Sequence, residues 1–542
     1  MKRQILCLAI LTALAASAPA LAQQADTQTR AAERASTTEL ESVKVTARRR
    51  DEPLEKVPVA VSAFSAEDLA DLQANNIDGL QGAVPGLNIV QGRGSSSAAN
   101  VFIRGIGQPD ALQTFDPGVG MYVDDVYYSR IQGALISLFD VDHVEVLRGP
   151  QGTLYGKNST GGAIKIVTRE PSTVGEGAVE ATVGDFGRRE GRFYLSGPMS
   201  DVLSGSVAGV VATNDGYISD PETNRKFNDD DTRALRAKLK FQASEDFSAT
   251  LSADYTRQST SLTMGSPTAP LMQTDLALGP VILMMPPTGS YDYHASTSFG
   301  PGKGQDLTHK GVALHMNWAL SDAWDLKSIT AGRKLDSKAY IDIDASKYEL
   351  GDVLVKFNQK QFSQELQLQY DNGSNLQAVY GLYYLNEKVP SHQEAYAGDL
   401  FALAGAPIDF LRTIDDDLKT TSMAAFAQSN WEFMPSWTLT TGLRFSRDQK
   451  DYDRTTSTFW GVPFAALNET VAFAGKQSWT AWTPSVSLQK QVNDQAMVYV
   501  SANRGFKSGG FNGRANSLVE TTRAVFDPEY VWTYEMGLKM RS

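Results

Sequence analysis

The sequence predicts a mainly β protein: a large antiparallel transmembrane β-barrel that comes after a small mixed α/β domain. Three observations predict it. The first residues have the parts of an export signal, while no later apolar run reaches the roughly 18 to 20 residues that a membrane-spanning helix needs. From about residue 177 to the end, apolar and polar residues alternate with period two in about fifteen segments, as strands with one oily face do. The connections between those segments alternate between tight turns and long polar or mixed stretches, an asymmetry of outer-membrane barrels.

The export signal comprises Lys2 and Arg3, an apolar run from Ile5 to Ala16, and the small-residue site Ala20-Leu21-Ala22, with cleavage expected before Gln23. The formal net charge of the whole chain is −12, from 50 basic and 62 acidic residues. Removing Lys2 and Arg3 leaves 48 against 62, or −14, a sign opposite to that of a nucleic-acid-binding surface. The single cysteine, Cys7, leaves with the signal. A disulfide framework, a thiolate metal cage and a cysteine nucleophile are thereby excluded.

Each strand is justified by its alternation. Leu235, Ala237, Leu239 and Phe241 alternate with Arg236, Lys238, Lys240 and Gln242, and after a turn at Ala243 to Asp246 the run from Phe247 to Arg257 repeats the pattern, so the two read as a hairpin. Further runs are Val312 to Trp318, Leu366 to Tyr370, Leu376 to Tyr384, Trp437 to Phe445 and Tyr530 to Met540. Tight turns are expected at Asp371 to Ser374, Met434 to Ser436 and Val492 to Asp494, and long loops at 258–308, 386–419 and 447–477. A soluble sandwich also alternates. Against it, Trp318, Tyr383, Tyr384, Trp431, Trp437, Trp479, Trp482 and Trp532 sit near strand ends, as an aromatic girdle would place them.

Residues 52–170 read differently. Ser65-Ala-Glu-Asp68 is a capping box opening a short helix, Ile77 to Ala83 is a second, and Pro85-Gly86 ends it. Short strands are expected at Leu87 to Val90, Val101 to Arg104, Val119 to Val123, His143 to Leu147 and Ala163 to Thr168, separated by glycine-rich turns. Gly156-Lys157 is not a phosphate loop, because Gln151 and Asn158 stand where that motif needs Gly and Ser or Thr.

The 25 residues from Val144 to Thr168, reading Val-Glu-Val-Leu-Arg-Gly-Pro-Gln-Gly-Thr-Leu-Tyr-Gly-Lys-Asn-Ser-Thr-Gly-Gly-Ala-Ile-Lys-Ile-Val-Thr, resemble the plug-domain signature of TonB-dependent outer-membrane receptors. So do Phe102-Ile-Arg-Gly105 and Tyr122-Val-Asp-Asp-Val126, in the same order, while Asn503 to Asn512 and Thr533 to Lys539 resemble the family's barrel. The resemblance implies a plug (52–170) in the lumen of a 22-stranded type of barrel (175–542), with Arg104, Gly105, Asp124, Arg148, Gly149, Pro150, Gly152, Tyr155, Gly156, Gly161 and Gly162 as plug-motif positions. It implies a latch of Arg104 and Arg148 on Glu535, with no second glutamate near Gly505-Phe506-Lys507. Leu40 to Ala47 resembles the TonB box within a flexible periplasmic segment, 23–51, so Glu41, Ser42, Val43, Lys44, Val45, Thr46 and Ala47 are expected to offer an extended strand to TonB. The 17 residues 23–39 leave no room for an added signalling domain.

The function implied by this resemblance is energised, ligand-gated uptake of a scarce nutrient, a ferric siderophore by family frequency. Haem, cobalamin or an oligosaccharide is the alternative cargo, and a passive porin or adhesin the alternative class. TonB with its inner-membrane complex, outer-membrane lipid and an extracellular small molecule are the implied partners of a monomer, with no nucleic acid, cofactor, catalytic residue or bound metal. The histidines His143, His294, His309, His315 and His392 are dispersed, and Asp229 to Asp231 and Asp415 to Asp417 read as loop solvation. The chain ends inside a strand without a terminal aromatic residue, and about fifteen strands fall short of the ~22 of plugged transporters, so C-terminal strands are expected to be missing.

Overall fold

In the computed structural model, residues 44–92, 95–266, 269–275, 279–284, 292–403 and 408–540 are described, with backbone alone for 271–284 within that set. The export signal, Glu41, Ser42 and Val43 lie outside the described residues. The first domain is built on a five-stranded mixed sheet ordered Ala60–Ser65, Val141–Arg148, Gly162–Thr168, Val119–Val123 and Val126–Tyr128. The Gly162–Thr168 and Val119–Val123 strands run parallel, and the other neighbours antiparallel. A smaller sheet joins Leu87–Gln91, Ala99–Ile103 and Ile106–Gly107.

The helix Ala66–Asp71 begins where the capping box placed it, with the Ser65 hydroxyl accepting the Asp68 N–H and the Asp68 carboxylate accepting the Ser65 N–H. Ile77–Leu80 forms a single 3₁₀ turn, shorter than the expected helix, because Gly82 turns the chain at φ 92° before Pro85. Ile77, Leu80, Ile103, Val144, Val146 and Ile164 form a core with no measurable exposure.

Fourteen antiparallel strands, from Glu176–Val183 to Glu529–Met540, form one sheet whose spatial order is the chain order. Among the described residues the first and last strands are not paired with each other. The alternation is inside out relative to a soluble protein. Along Asp230–Gln242, Arg236 and Lys238 are buried while Leu235, Leu239 and Phe241 are exposed. Along Val353–Asp371, Gln361, Ser363, Glu365 and Gln367 are buried while Phe362 and Leu366 are exposed. Burying the charged row and exposing the oily one raises the free energy in water and lowers it in lipid, so this face pattern excludes the sandwich. No described helix is long and apolar enough to cross a membrane.

The tight turns fall at one end of the sheet, as expected, but two of the expected long loops are mostly strand. Leu376–Tyr396 and Phe410–Met434 absorb much of 386–419, with a short helix Gly398–Leu403 between them. Trp437–Trp460 and Glu469–Asn493 absorb most of 447–477. A strand of 25 residues extends roughly 80 Å, well beyond the apolar layer, and there both faces are wet, so the oily row that reveals a strand in sequence vanishes while the ladder continues. The acidic run Asp415 to Asp417 consequently lies in a strand: Asp416 faces inward, and Asp415 and Asp417 face outward toward His392 and Lys388. Trp318, Trp431, Trp482 and Trp532 are exposed as a girdle requires, but Trp479 turns inward onto Phe511, and Tyr383 packs with the inner cluster around Tyr155.

Candidate functional site

The polar lumen is filled by the first domain, and the N-terminal segment is held within the contact between them. Lys44–Val45 pairs antiparallel with Glu52–Pro53, a two-residue ladder too short to hold by itself. Side chains do the holding. Val45 and Ala47 are buried among Val57, Val61, Leu147, Leu154 and Tyr155 of the domain and Val379, Leu385 and Phe426 of the barrel. Thr46 donates both its N–H and its hydroxyl to Glu145 Oε1, each at 2.7 Å, and Lys165 bonds the same hydroxyl. The described part of the expected box is therefore tucked in, not free.

Three consecutive arginines then fasten the segment at three places. Arg48 makes a two-pronged bond to Glu52 at 2.7 and 2.8 Å. Arg49 reaches Asp125 Oδ1 at 2.7 Å and Glu365 at 3.5 Å, with its guanidinium 4.8 Å from the centre of the Tyr155 ring. Arg50 donates to the carbonyls of Tyr370 and Ala378 at 2.6 and 2.7 Å, at the tight-turn end of the barrel. Asp125 is shared with Lys165 and Lys327, so the segment, the domain and the wall meet at one carboxylate.

The glycine motif lies where the domain meets the wall. A Cβ on Gly152 would stand 2.5 Å from the Arg504 carbonyl, and one on Gly156 would stand 2.7 Å from the Arg444 guanidinium. Across this contact the Thr153 hydroxyl donates to the Thr483 carbonyl and the Thr483 hydroxyl to the Gly152 carbonyl, both at 2.9 Å. Asn158 donates its N–H to the Phe506 carbonyl and accepts the Ser508 N–H. Pro150 sits under Gly505, the Gly161 N–H bonds the Gly118 carbonyl, and Gly162 opens the strand beside Leu147. Asp124 accepts the N–H and hydroxyl of Thr168 at 2.8 and 2.6 Å and faces Lys238. Arg104 and Gly105 form a turn with positive φ.

Of the expected latch, one arm is present. Arg104 Nη1 lies 2.8 Å from Glu535 Oε2, and Tyr499 bonds the other oxygen. Arg148 makes no ion pair among the described residues, and its Nε is buried without a partner; Arg104 beside it already occupies the carboxylate, and a second cation there is repelled. The Arg104 side chain is 40% exposed, so water screens the pair. Glu535→Gln is therefore expected to weaken the hold on the domain by no more than about 1 kcal/mol. Hydrogen exchange over Ala99–Ile103 in the intact barrel measures this, and a hundredfold loss of protection would refute it.

Further buried ionic contacts lie among residues that no sequence motif marks. Arg130, in the loop after Val126–Tyr128, donates through Nε to Glu387 at 2.8 Å and through Nη2 to its other oxygen, with both side chains at most 3% exposed. Asp116 meets Lys450 at 2.9 Å and Arg130 at 3.5 Å. Burial pushes the Asp116 carboxyl up, but Lys450, Lys157 and Arg130 outweigh it and hold the group well below the ordinary carboxylate range. Gln113 bonds Ser391 and Asp416, and Asp416 in turn holds Tyr452 and Arg454. One signal was available: a charged residue on the lumen-facing row of a strand needs a partner inside. His309 is buried against Tyr128 and His294 is exposed beside Asp292, so these two histidines do not form a metal pair.

Two family models match the chain: TonB-dependent Receptor Plug Domain over residues 53–163, and TonB dependent receptor-like, beta-barrel over 173–542. The chain belongs to the TonB-dependent receptor family. Its place is the outer membrane, and its family comprises receptors and transporters, not enzymes. It is 36% identical to the pesticin receptor of Yersinia pestis over 182 residues, covering 33% of this chain and 26% of that protein. It is 29% identical to an iron-regulated outer membrane virulence protein of Vibrio cholerae over 235 residues, covering 40% of this chain and 34% of that one. The chain thus spans about a quarter to a third of the length of these relatives. Among solved structures, the ferric yersiniabactin uptake receptor of Y. pestis superposes with TM-score 0.73 at 22% identity, over 90% of this chain and 70% of that one. A siderophore receptor of Acinetobacter baumannii superposes with TM-score 0.66 at 16% identity, over 90% and 71%.

Proposed function

We propose that this receptor takes up a ferric siderophore by a gated mechanism energised through TonB. The observation that carries the reading is the segment 44–50: a two-residue strand running into a turn, anchored beneath a domain that fills a polar lumen, is a handle whose displacement loosens the filling. Val45 and Thr46 favour extended structure, and a strand released from its two-residue ladder can add to a partner's sheet edge through main-chain bonds. Residues 40–47 are the TonB box in this reading, the plug-motif glycines set the close approach of plug to wall, and the receptor works as a monomer in outer-membrane lipid. Siderophore cargo is supported by the names of the iron-related relatives and neighbours. Cobalamin belongs in any test, because a vitamin B12 transporter of Vibrio vulnificus is 27% identical over 192 residues.

The test is whole-cell uptake of labelled ferric siderophores, haem, cobalamin and oligosaccharides, with and without Val45→Pro. Proline removes the main-chain donor of a strand and cannot join a ladder as Val does. Uptake of one ligand, at least tenfold reduced by the proline while surface binding survives, is the expected result. Uptake indifferent to the proline would mean a passive pore and would withdraw the reading of residues 40–47.

A further inference from the structure

The connection between Trp324–Ile341 and Val353–Asp371, at the end of the barrel opposite the tight turns, gathers three carboxylates that no cationic side chain among the described residues pairs with. One oxygen each from Asp342, Asp344 and Asp352 lies within 4.8 Å of the others. Asp352 has no exposure and Asp342 only 8%. Asp342 Oδ1 accepts the N–H groups of Asp344 and Ala345 at 3.1 and 2.7 Å, but Asp342 Oδ2 and Asp344 Oδ2 are buried with no hydrogen-bond partner. Asp352 accepts the Ile343 N–H at 3.3 Å and the Ser298 hydroxyl from a separate segment. No Lys, Arg or His among the described residues comes within 4.0 Å of the three; Lys347 reaches across to Glu222 instead, and Lys303 to the Tyr340 hydroxyl.

Such an arrangement is costly by itself. A buried ionised carboxylate without a donor or a counter-charge is destabilising, and three together repel. Burial first, and then Asp342 and Asp344, push the Asp352 carboxyl up to about 7 against the Ser298 hydrogen bond, while burial and Asp344 push Asp342 up to about 6 against a hydrogen bond from Thr297. Two buried orphan oxygens in a cluster whose three carboxylates approach within 4.8 Å are what a bound cation satisfies. The donors are all oxygen, which disfavours zinc, copper and ferrous iron, whose sites use imidazole or thiolate. Magnesium prefers a strict octahedron and keeps its waters, whereas calcium accepts several carboxylates in irregular geometry on a loop.

We propose that Asp342, Asp344 and Asp352 form a calcium site that ties the Ser296 to Ser298 segment to the connection between the two strands. Calcium there orders two outer connections at once, independently of which ligand the receptor carries. The ordinary range for extracellular calcium modules gives an expected Kd on the order of 10⁻⁴ M.

The test is calorimetric titration of calcium into the full chain, purified in detergent and stripped with a chelator, with hydrogen exchange read in parallel. Calcium should bind, slow exchange in peptides spanning 294–300 and 341–353, and do so at least tenfold more tightly than magnesium. Asp352→Asn should weaken binding at least tenfold; should that variant fail to insert, the less buried Asp344→Asn serves in its place. Absence of calcium-dependent protection in those two peptides of the unmodified chain would overturn the proposal. So would equal protection by magnesium, or binding unchanged in the folded variant.

Discussion

Replacing Glu387 with alanine is expected to loosen the plug from the barrel by about 3–5 kcal/mol, because it strands the Arg130 guanidinium in a buried site. Arg130 and Glu387 are each at most 3% exposed, and Ser129 and Gln359 also bond the same carboxylate, so several donors lose their acceptor together. Asp116, 3.5 Å from Arg130, compensates only in part, since Lys450 already holds it. Hydrogen exchange over Val119–Val123 and Val126–Tyr128 in the intact barrel is the measurement, with protection expected to fall at least a hundredfold. Protection within threefold of the parent would sink the idea. Removing both charges with Arg130→Met and Glu387→Leu should recover much of the loss, since the penalty comes from one uncompensated ion and not from the absence of the pair.

Arg49→Ala is the second large effect and acts four register positions nearer the tight turns, where Glu365 lies opposite Tyr383 and Gln361 opposite Glu387. Arg49 is buried between two carboxylates and stacks on Tyr155, and it adopts φ 65°, a conformation that non-glycine residues rarely hold without support. Asp125 keeps Lys165 and Lys327 after the change, so the charge that loses its ion pair is Glu365 on the barrel wall, which keeps the Gln367 amide. Losing this anchor should cost the segment about 3 kcal/mol of its attachment. Limited proteolysis within 44–50 reads it directly: cleavage should accelerate at least tenfold while the barrel stays folded. Arg49→Lys keeps the charge but loses the planar fork and the stacking, and should fall between the two. Equal cleavage of parent and Arg49→Ala would show that Arg48 and Arg50 suffice as anchors. Under the proposed function, release of the segment should also let the energising partner engage without ligand.

These effects differ in how far they were legible. The Glu535 contact with Arg104 comes from motif matching, yet its exposure makes it the weak member of the set. Arg130 and Glu387 lie 257 residues apart and neither stands in a motif, so nothing local marks them as partners. Arg48 to Arg50 stood in plain view as a basic run after the box, but a basic run is usually solvated, and only the fold gives it targets: Glu52 for Arg48, Asp125 and Glu365 for Arg49, and two wall carbonyls for Arg50. Asp342 and Asp344 show the alternating spacing of oxygen ligands. Their third member, and the Ser298 hydroxyl that fixes it, arrive through the fold.

By itself the sequence determined whatever depends on neighbours in the chain. The period-two runs specify strands and their two faces, the capping box at Ser65 starts a helix, and the glycines of the Val144 to Thr168 stretch permit turns and close approach. Tertiary structure alone decided how far the hairpins extend past the lipid, because beyond the apolar layer the oily row disappears and only the partner strand keeps the ladder going. It alone decided which lumen charges meet which plug charges. Periodicity says that a side chain points inward but not what stands opposite, and in a buried, low-dielectric contact the difference between a matched and an unmatched charge is several kcal/mol.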